Sequence, residues 1–159
     1  MELSINTSIS LRAVTDADAE FIEQVYFGTR REEFAALGWA PEQLEMFLRM
    51  QLNFQQQSFR MQFPEADSSI IVFENERVGR LIVERTAKET RIIDIAVLPE
   101  CRSRGIGTEI LRKFIEDAKN EDKKIALNVL KTNVRAFNLY QKLGFVVTGD
   151  DEMYYSMEQ

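Results

Sequence analysis

Residues 91–118 read Arg91-Ile92-Ile93-Asp94-Ile95-Ala96-Val97-Leu98-Pro99-Glu100-Cys101-Arg102-Ser103-Arg104-Gly105-Ile106-Gly107-Thr108-Glu109-Ile110-Leu111-Arg112-Lys113-Phe114-Ile115-Glu116-Asp117-Ala118. The β-branched run 92–97, closed by Pro99, predicts a buried strand. Pro99 has no N–H for a ladder and pushes Leu98 out of helical geometry, so the strand stops there. A short polar loop with Arg102, Arg104, Gly105 and Gly107 follows. Ile106, Ile110, Phe114 and Ala118 then recur at helical spacing, with Leu111 and Ile115 widening the stripe. The unit is strand, glycine-rich loop, helix.

Such a unit can trap an anion. The start of a helix leaves backbone N–H groups without partners and carries partial positive charge. Glycines let an anion approach those groups, and the arginines add charge. No Gly-Lys-Ser or Gly-Lys-Thr follows, so the loop is not a Walker A. Ile110 stands where a dinucleotide-binding loop has its third glycine. What remains is Arg102-x-x-Gly105-x-Gly107. On this stretch alone, a tight turn with solvated arginines stays open as the alternative.

Residues 133–145 read Asn133-Val134-Arg135-Ala136-Phe137-Asn138-Leu139-Tyr140-Gln141-Lys142-Leu143-Gly144-Phe145. Together the two stretches resemble the acyl-CoA-binding signature of the GNAT N-acetyltransferase superfamily. Its first motif is Arg or Gln-x-x-Gly-x-Gly or Ala, after a strand ending near a proline. Its second is Asn-x-x-Ala-x-x-Leu-Tyr-x-x-Leu-Gly-Phe. Both match here, in the right order. The resemblance is tight over the second half of the chain and extends over the first half in element order only.

The elements follow from local pattern. Residues 9–14 alternate as a strand. Thr15 or Asp16 caps a helix through Phe21, Ile22, Val25 and Tyr26, which Phe34 and Leu37 continue to a stop at Gly38. Pro41 suits the first turn of a second helix carrying Leu44, Phe47, Leu48, Leu52 and Phe59, and Pro64 ends it. Residues 70–74 and 78–85 form a hairpin around Asn75-Glu76. After the strand–loop–helix unit come a strand at 124–130 and a helix with Ala136, Leu139, Tyr140 and Leu143, stopped by Gly144. Residues 145–148 and 153–157 make a last hairpin with Gly149-Asp150-Asp151 at its turn. The order β-α-α-β-β-β-α-β-α-β-β is that of the superfamily. The implied fold is α/β (α+β): a mixed, mostly antiparallel sheet of about seven strands flanked by about four helices. A single N-acetyltransferase domain over 1–159, with its core at 9–158, is expected.

Bulk properties narrow the function. The chain has 159 residues, which suits one core; 45% are hydrophobic and 29% charged, which excludes a disordered or membrane-spanning class. No apolar run approaches the ~20 residues of a membrane span. The first residues lack the basic start and apolar core of a signal peptide, so a cytoplasmic location is expected. A net charge of −6 argues against a nucleic-acid partner. There is no His, which removes imidazole triads and His-ligated metal sites, and no metal is expected. Cys101 is the single cysteine, so no internal disulfide forms; it is read as incidental rather than as a reactive thiol.

The resemblance implies acetyl-CoA as cosubstrate, bound between the fourth and fifth strands. Arg102, Ser103, Arg104, Gly105, Ile106, Gly107 and Thr108 would hold its pyrophosphate. The backbone of Ile95, Ala96 and Val97 would pair with the pantetheine arm as a strand does. Asn133 would reach the pantetheine, or serve as a plain helix cap. Tyr140 falls on an apolar stripe and by periodicity alone is a core tyrosine. The resemblance instead makes it the general acid that meets the departing thiolate. Asp94 interrupts an apolar strand, so it is either the group that takes the amine's proton or a structural hydrogen-bond partner.

Substrate choice in the superfamily falls to the first helices and the last hairpin. Arg30, Glu33 and Trp39 are the candidates here, with Arg31, Glu32, Tyr154 and Tyr155 nearby. Some relatives that modify protein N-termini carry a glutamate on the fifth strand where this chain has Asn128, which speaks against that reaction. The expected function is transfer of an acetyl group to a primary amine of a small or amino-acid-like molecule, by direct attack in a ternary complex. A protein acetyltransferase acting on lysine or an N-terminus, and a non-catalytic CoA-binding module, are the alternatives. The expected partners are acetyl-CoA and the amine, in a monomer or homodimer.

Overall fold

In the computed structural model, which describes residues 2–159, the elements run as follows. β1 (Glu2–Ser4), β2 (Ile9–Ala13), α1 (Ala19–Phe34) and α2 (Pro41–Gln62) come first. β3 (Asp67–Phe73), β4 (Glu76–Arg85), β5 (Glu89–Val97) and α3 (Ile106–Asn120) follow. β6 (Lys124–Leu130), α4 (Val134–Lys142), β7 (Val146–Asp150) and β8 (Tyr154–Glu158) complete the chain. The strands form one sheet in the order β1-β2-β3-β4-β5-β6-β8-β7. Every neighbouring pair is antiparallel except β5 and β6, which the α3 crossover makes parallel. No helix among the described residues is long and apolar enough to cross a membrane.

Strand alternation divides the core between the two faces. Ile70 and Ile71 are adjacent and both fully buried. Ile70 packs with Phe21, Val25, Leu48 and Leu52 of α1 and α2. Ile71 packs with Leu81, Ile92 and Leu127 and with Ile110, Leu111 and Phe114 of α3. The β3–β4 hairpin turns on Glu74 and Asn75, whose φ of 50° and 69° match a two-residue turn of the type that follows strand twist.

The sheet has eight strands rather than about seven. β1 pairs Glu2, Leu3 and Ser4 with Arg12, Leu11 and Ser10. It is three residues long and exposed throughout, so it carries no alternation to read. Asn6 Oδ1 accepts from the N–H groups of Ser8 and Ile9, each at 2.8 Å, and folds the chain back. The last turn also moves. Gly149 and Asp150 lie in β7, opposite Ser156 and Tyr155. The turn begins at Asp151, whose Oδ1 accepts from the N–H groups of Met153 and Tyr154 at 2.8 and 2.7 Å. The first helix ends at Phe34, and a 3-10 turn, Ala35–Leu37, carries the chain to Gly38.

The feature that makes the site is a bulge. Ile82 pairs with Asp94 and Val83 with Ile92, so Ile93 has no partner on β4. The parallel pairing of β5 with β6 runs only from Glu89–Lys124 to Ile92–Leu127. A bulge bends its strand and increases its twist. Beyond Ile92 the two strands therefore part, and residues 94–97 face 128–130 without a ladder between them. Gly79 holds the other side of β5. A Cβ there would run into the carbonyl oxygen of Ala96 and lie 3.1 Å from Val97 Cα. Gly79→Ala is expected to destabilise the fold by about 3 kcal/mol, because the obstacle is backbone that cannot swing away. Urea unfolding measures it, and a shift under about 1 kcal/mol would show that the strands separate freely.

Asp18 ties together the start of α1 and the sheet. It is 1% exposed. Its carboxylate accepts from Arg12 Nη1 and Nη2, both at 2.8 Å, from Arg77 Nη1 at 3.1 Å, and from the Thr15 N–H at 2.9 Å. The Arg12 guanidinium, with help from Thr15 and Arg77, holds this carboxyl well below the usual carboxylate range.

Candidate active site

The parted strands open into a cleft of about 1120 Å³. One end is the loop that follows β5. Ser103 and Gly105 take left-handed conformations, with φ of 65° and 76°. Gly105 caps α3, and the first N–H groups of that helix have no carbonyl behind them. Gly105, Ile106, Gly107 and Thr108 all line the cleft. A Cβ at Gly105 or Gly107 would meet nothing within 4 Å, so the space over this helix start is open. Arg102 also lines the cleft, with its Nε donating to the Val97 carbonyl at 3.3 Å. Arg104 is exposed and does not line it. Arg135 on the first turn of α4 does line it, donating to Ser103 Oγ at 3.3 Å. The loop and α4 thus bracket the helix start with cations.

The middle of the cleft is the open edge of β5 facing α4. Asp94, Ile95, Ala96 and Val97 line it, as do Asn133 and Tyr140. Asn133 caps α4: its Oδ1 accepts from the Ala136 N–H at 3.2 Å. That leaves its side-chain NH2 for the cleft, so the two roles weighed for Asn133 are compatible. Tyr140 is 8% exposed and stacks edge-on with Phe145 at 5.9 Å. No buried side-chain oxygen among the described residues lacks a partner, and no protein group is bonded to the Tyr140 hydroxyl, so that hydroxyl is open to the cleft. Burial, and then the charge of Asp94, push the phenol up to about 12. It is a neutral donor throughout the physiological range.

A tyrosine raised in this way has a signature at high pH. Unfolded tyrosine ionises near ~10. Between that value and about 12 the folded chain holds a proton that the unfolded chain has released. The folded state binds more protons in this window, so stability falls as pH rises through it. The expected result is a steeper loss of urea resistance above pH ~10 in wild type than in Tyr140→Phe. Parallel losses would mean that Tyr140 does not titrate with folding.

At the far end, Asp94 is tied to a buried arginine. Arg80 is 4% exposed. Its Nη2 and Nε donate to Asp94 Oδ2 at 2.7 and 3.3 Å, and Nη2 also donates to Gln55 Oε1 of α2 at 3.1 Å. The hydrogen-bonding role weighed for Asp94 is therefore present, and it engages Oδ2 only. Arg80 was missed as a site residue, though the signal was available. It interrupts the apolar run 78–83 as Asp94 interrupts 92–97, and two opposite charges in buried strands must find each other.

The wall across from α4 comes from α1 and α2. Arg30 and Glu33 line the cleft, and the Arg30 guanidinium lies 4.8 Å over the Tyr26 ring. Trp39 does not line it. It packs on Phe47 at 5.0 Å and on Phe34 at 6.2 Å, away from the cleft. Asn128 and Tyr154 also face the cleft, whereas Tyr155 packs on Phe137 at 5.1 Å. Among the described residues no cluster of three or more His, Cys, Asp or Glu is placed to hold a metal ion.

The family model described as the acetyltransferase (GNAT) family matches residues 30–145. Over 60 residues the chain is 42% identical to thialysine N-epsilon-acetyltransferase of Mus musculus, covering 37% of this chain and 35% of that protein. Over 85 residues it is 35% identical to streptothricin acetyltransferase A of Bacillus subtilis (strain 168), covering 52% of this chain and 49% of that one. The chain thus spans about a third to a half of the length of these two relatives. Among solved structures, PaiA N-acetyltransferase of Thermoplasma acidophilum in complex with coenzyme A has a TM-score of 0.71 at 20% identity, with 96% of this chain and 99% of that chain covered. An acetyltransferase from Elizabethkingia anophelis with acetyl-CoA bound has a TM-score of 0.61 at 16% identity, with 97% and 99% covered. At these identities the likeness is one of fold.

Proposed function

Because the chain belongs to the acetyltransferase (GNAT) family, we propose that it is an acetyl-CoA-dependent N-acetyltransferase of one domain over residues 1–159, acting on a primary amine of a small or amino-acid-like molecule. The observation that carries this is the parted β5–β6 edge, which opens a cleft lined by the start of α3, by Tyr140 and by Asp94. The residues present fit acetyl-CoA. The N–H groups at Gly105, Ile106, Gly107 and Thr108 supply donors for a pyrophosphate, with Arg102 and Arg135 as counter-charges. The unpaired backbone of Ile95, Ala96 and Val97 offers strand-like hydrogen bonds to an amide-bearing arm. Bound there, acetyl-CoA supplies an activated acyl group on a thiol that can leave.

Tyr140 then donates to the sulfur as negative charge develops on it. Asp94 presents its unengaged carboxylate oxygen to the incoming amine, and Arg80 fixes its orientation. A lysine-like amine has a pKa of ~10.4, so removing its proton at pH 7 costs roughly 4 to 5 kcal/mol. As the C–N bond forms, the nitrogen becomes strongly acidic, and Asp94 takes the proton it then sheds, directly or through water. Glu33 adds a second negative charge on the acceptor side, which favours a cationic substrate. The two curated relatives support a small acceptor: one name specifies thialysine N-epsilon, the other streptothricin.

The test is thiol release from acetyl-CoA against amino acids, polyamines, aminoglycosides and short peptides. Release with one small-amine class supports the proposal. Release with peptides alone would move the acceptor to protein. Saturable binding of acetyl-CoA with no release by any amine would mark a binding module.

A further inference from the structure

Helix α2 carries two apolar faces. Leu48 and Leu52 are buried against the sheet. The other face is Met46, Met50, Phe54 and Met61, which are 74%, 57%, 74% and 85% exposed. Gln57 falls on the same line, so the residues step by four, four, three and four along one side of the helix. No charged residue interrupts this stripe, which is about 22 Å long. We propose that it is the docking surface for a second copy of this chain, with α2 packed against α2 in an antiparallel, two-fold arrangement.

Shape gives the register. A groove of about 450 Å³ lies along α2, lined by Phe54, Gln57, Ser58, Met61 and Gln62. The first four stand at i, i+3, i+4 and i+7, the diamond that receives one side chain in knobs-into-holes packing. When Met46 of one protomer enters this hole in antiparallel alignment, Met50 of the same protomer falls on the diamond of Met50, Asn53, Phe54 and Gln57. The symmetry repeats both contacts, so the surface is complementary to itself.

Charge selects the direction. Glu42 and Arg60 are exposed at opposite ends of α2 and project from the same flank of the stripe. The antiparallel register brings Glu42 of each protomer within about half a turn of the partner's Arg60. A parallel pair would put the two copies of this flank on opposite sides of the interface, where neither Glu42 nor Arg60 meets an opposite charge. A membrane surface fits less well, because such helices carry a polar face rich in Lys and Arg and this chain has a net charge of −6. Ser58 and Gln62 line both the groove and the catalytic cleft, so the docked helix would stand at the cleft's edge.

The stripe is a few hundred Å² on each side, below the ~800 Å² of a standard interface, so the dimer is expected to be micromolar. Sedimentation equilibrium of the intact chain up to on the order of 100 μM reads it directly. Wild type is expected to reach twice the monomer mass. Phe54→Lys is expected to remain monomeric with unchanged thermal unfolding, since the side chain is exposed. Glu42→Arg and Arg60→Glu are each expected to weaken association about fivefold, and the two together to restore it. A monomeric wild type, whether or not it binds phospholipid vesicles, overturns the proposal. So does a dimer that survives Phe54→Lys, or a double charge swap that associates no better than the single ones.

Discussion

Tyr140→Phe is expected to lower kcat by about a hundredfold, with little change in the KM for acetyl-CoA. The substitution keeps the buried ring and its edge-on contact with Phe145, so packing survives and only the hydroxyl is lost. One preorganised donor aimed at developing charge contributes about 10²- to 10³-fold. The raised phenol constrains what that donor does. A phenol near 12 facing a thiol of ~8.5 makes complete proton transfer to the sulfur uphill by roughly 5 kcal/mol. On the proposed mechanism, Tyr140 therefore stabilises the thiolate by a charge-assisted hydrogen bond, and the final proton comes from the amine side or from water. It follows that the rate has no alkaline limb from Tyr140 near neutrality and rises as the amine loses its proton. A Phe variant within about threefold of wild type, at matched acetyl-CoA saturation, would return Tyr140 to a packing role.

Asp18→Asn is expected to destabilise the fold by about 3 to 4 kcal/mol, or roughly 10 °C in Tm. The carboxylate is the shared partner of Arg12 on β2 and Arg77 on β4, and it also accepts from Thr15 ahead of α1. Arg77 lies 4.8 Å over the Phe21 ring, so the network couples the first helix to the sheet. Asparagine keeps the size but leaves two guanidinium groups around a neutral amide. The pH dependence identifies the charge as the cause. The carboxyl is held below its unfolded value of ~3.9, so its contribution is present above that pH and is lost as pH falls toward the folded value. Wild type should lose more stability than Asp18→Asn between pH 6 and pH 3. Equal losses would assign the effect to shape rather than charge.

Much of the loop end of the cleft was legible because its determinants are local. Arg102, Gly105, Gly107 and the apolar period after them lie within one strand–loop–helix unit, and a helix start attracts anions wherever it sits. Arg135 escaped because nothing in its own neighbourhood points to Ser103; only the docking of α4 beside the loop brings them together. Trp39 misled for a related reason. An aromatic in a connector looks available, and only tertiary packing on Phe34 and Phe47 takes it away from the cleft. β1 was invisible because three exposed residues have no period.

By itself the sequence determined the order of elements from β2 onward and the glycine loop at the start of α3, since strand and helix periods and helix-start chemistry are properties of a short segment; the candidacy of Tyr140 came from the family resemblance, against its apolar period. Only the tertiary structure decided that a bulge at Ile93 parts β5 from β6. It alone decided that Asp94 is held by an arginine from β4 and, through Gln55, linked to α2. It also decided that α1 lies against Pro99 at Gly28, where a Cβ would come within 2.9 Å of the ring. The reason is common to all three: register, burial and close approach depend on residues far apart in the chain, and no local pattern carries them.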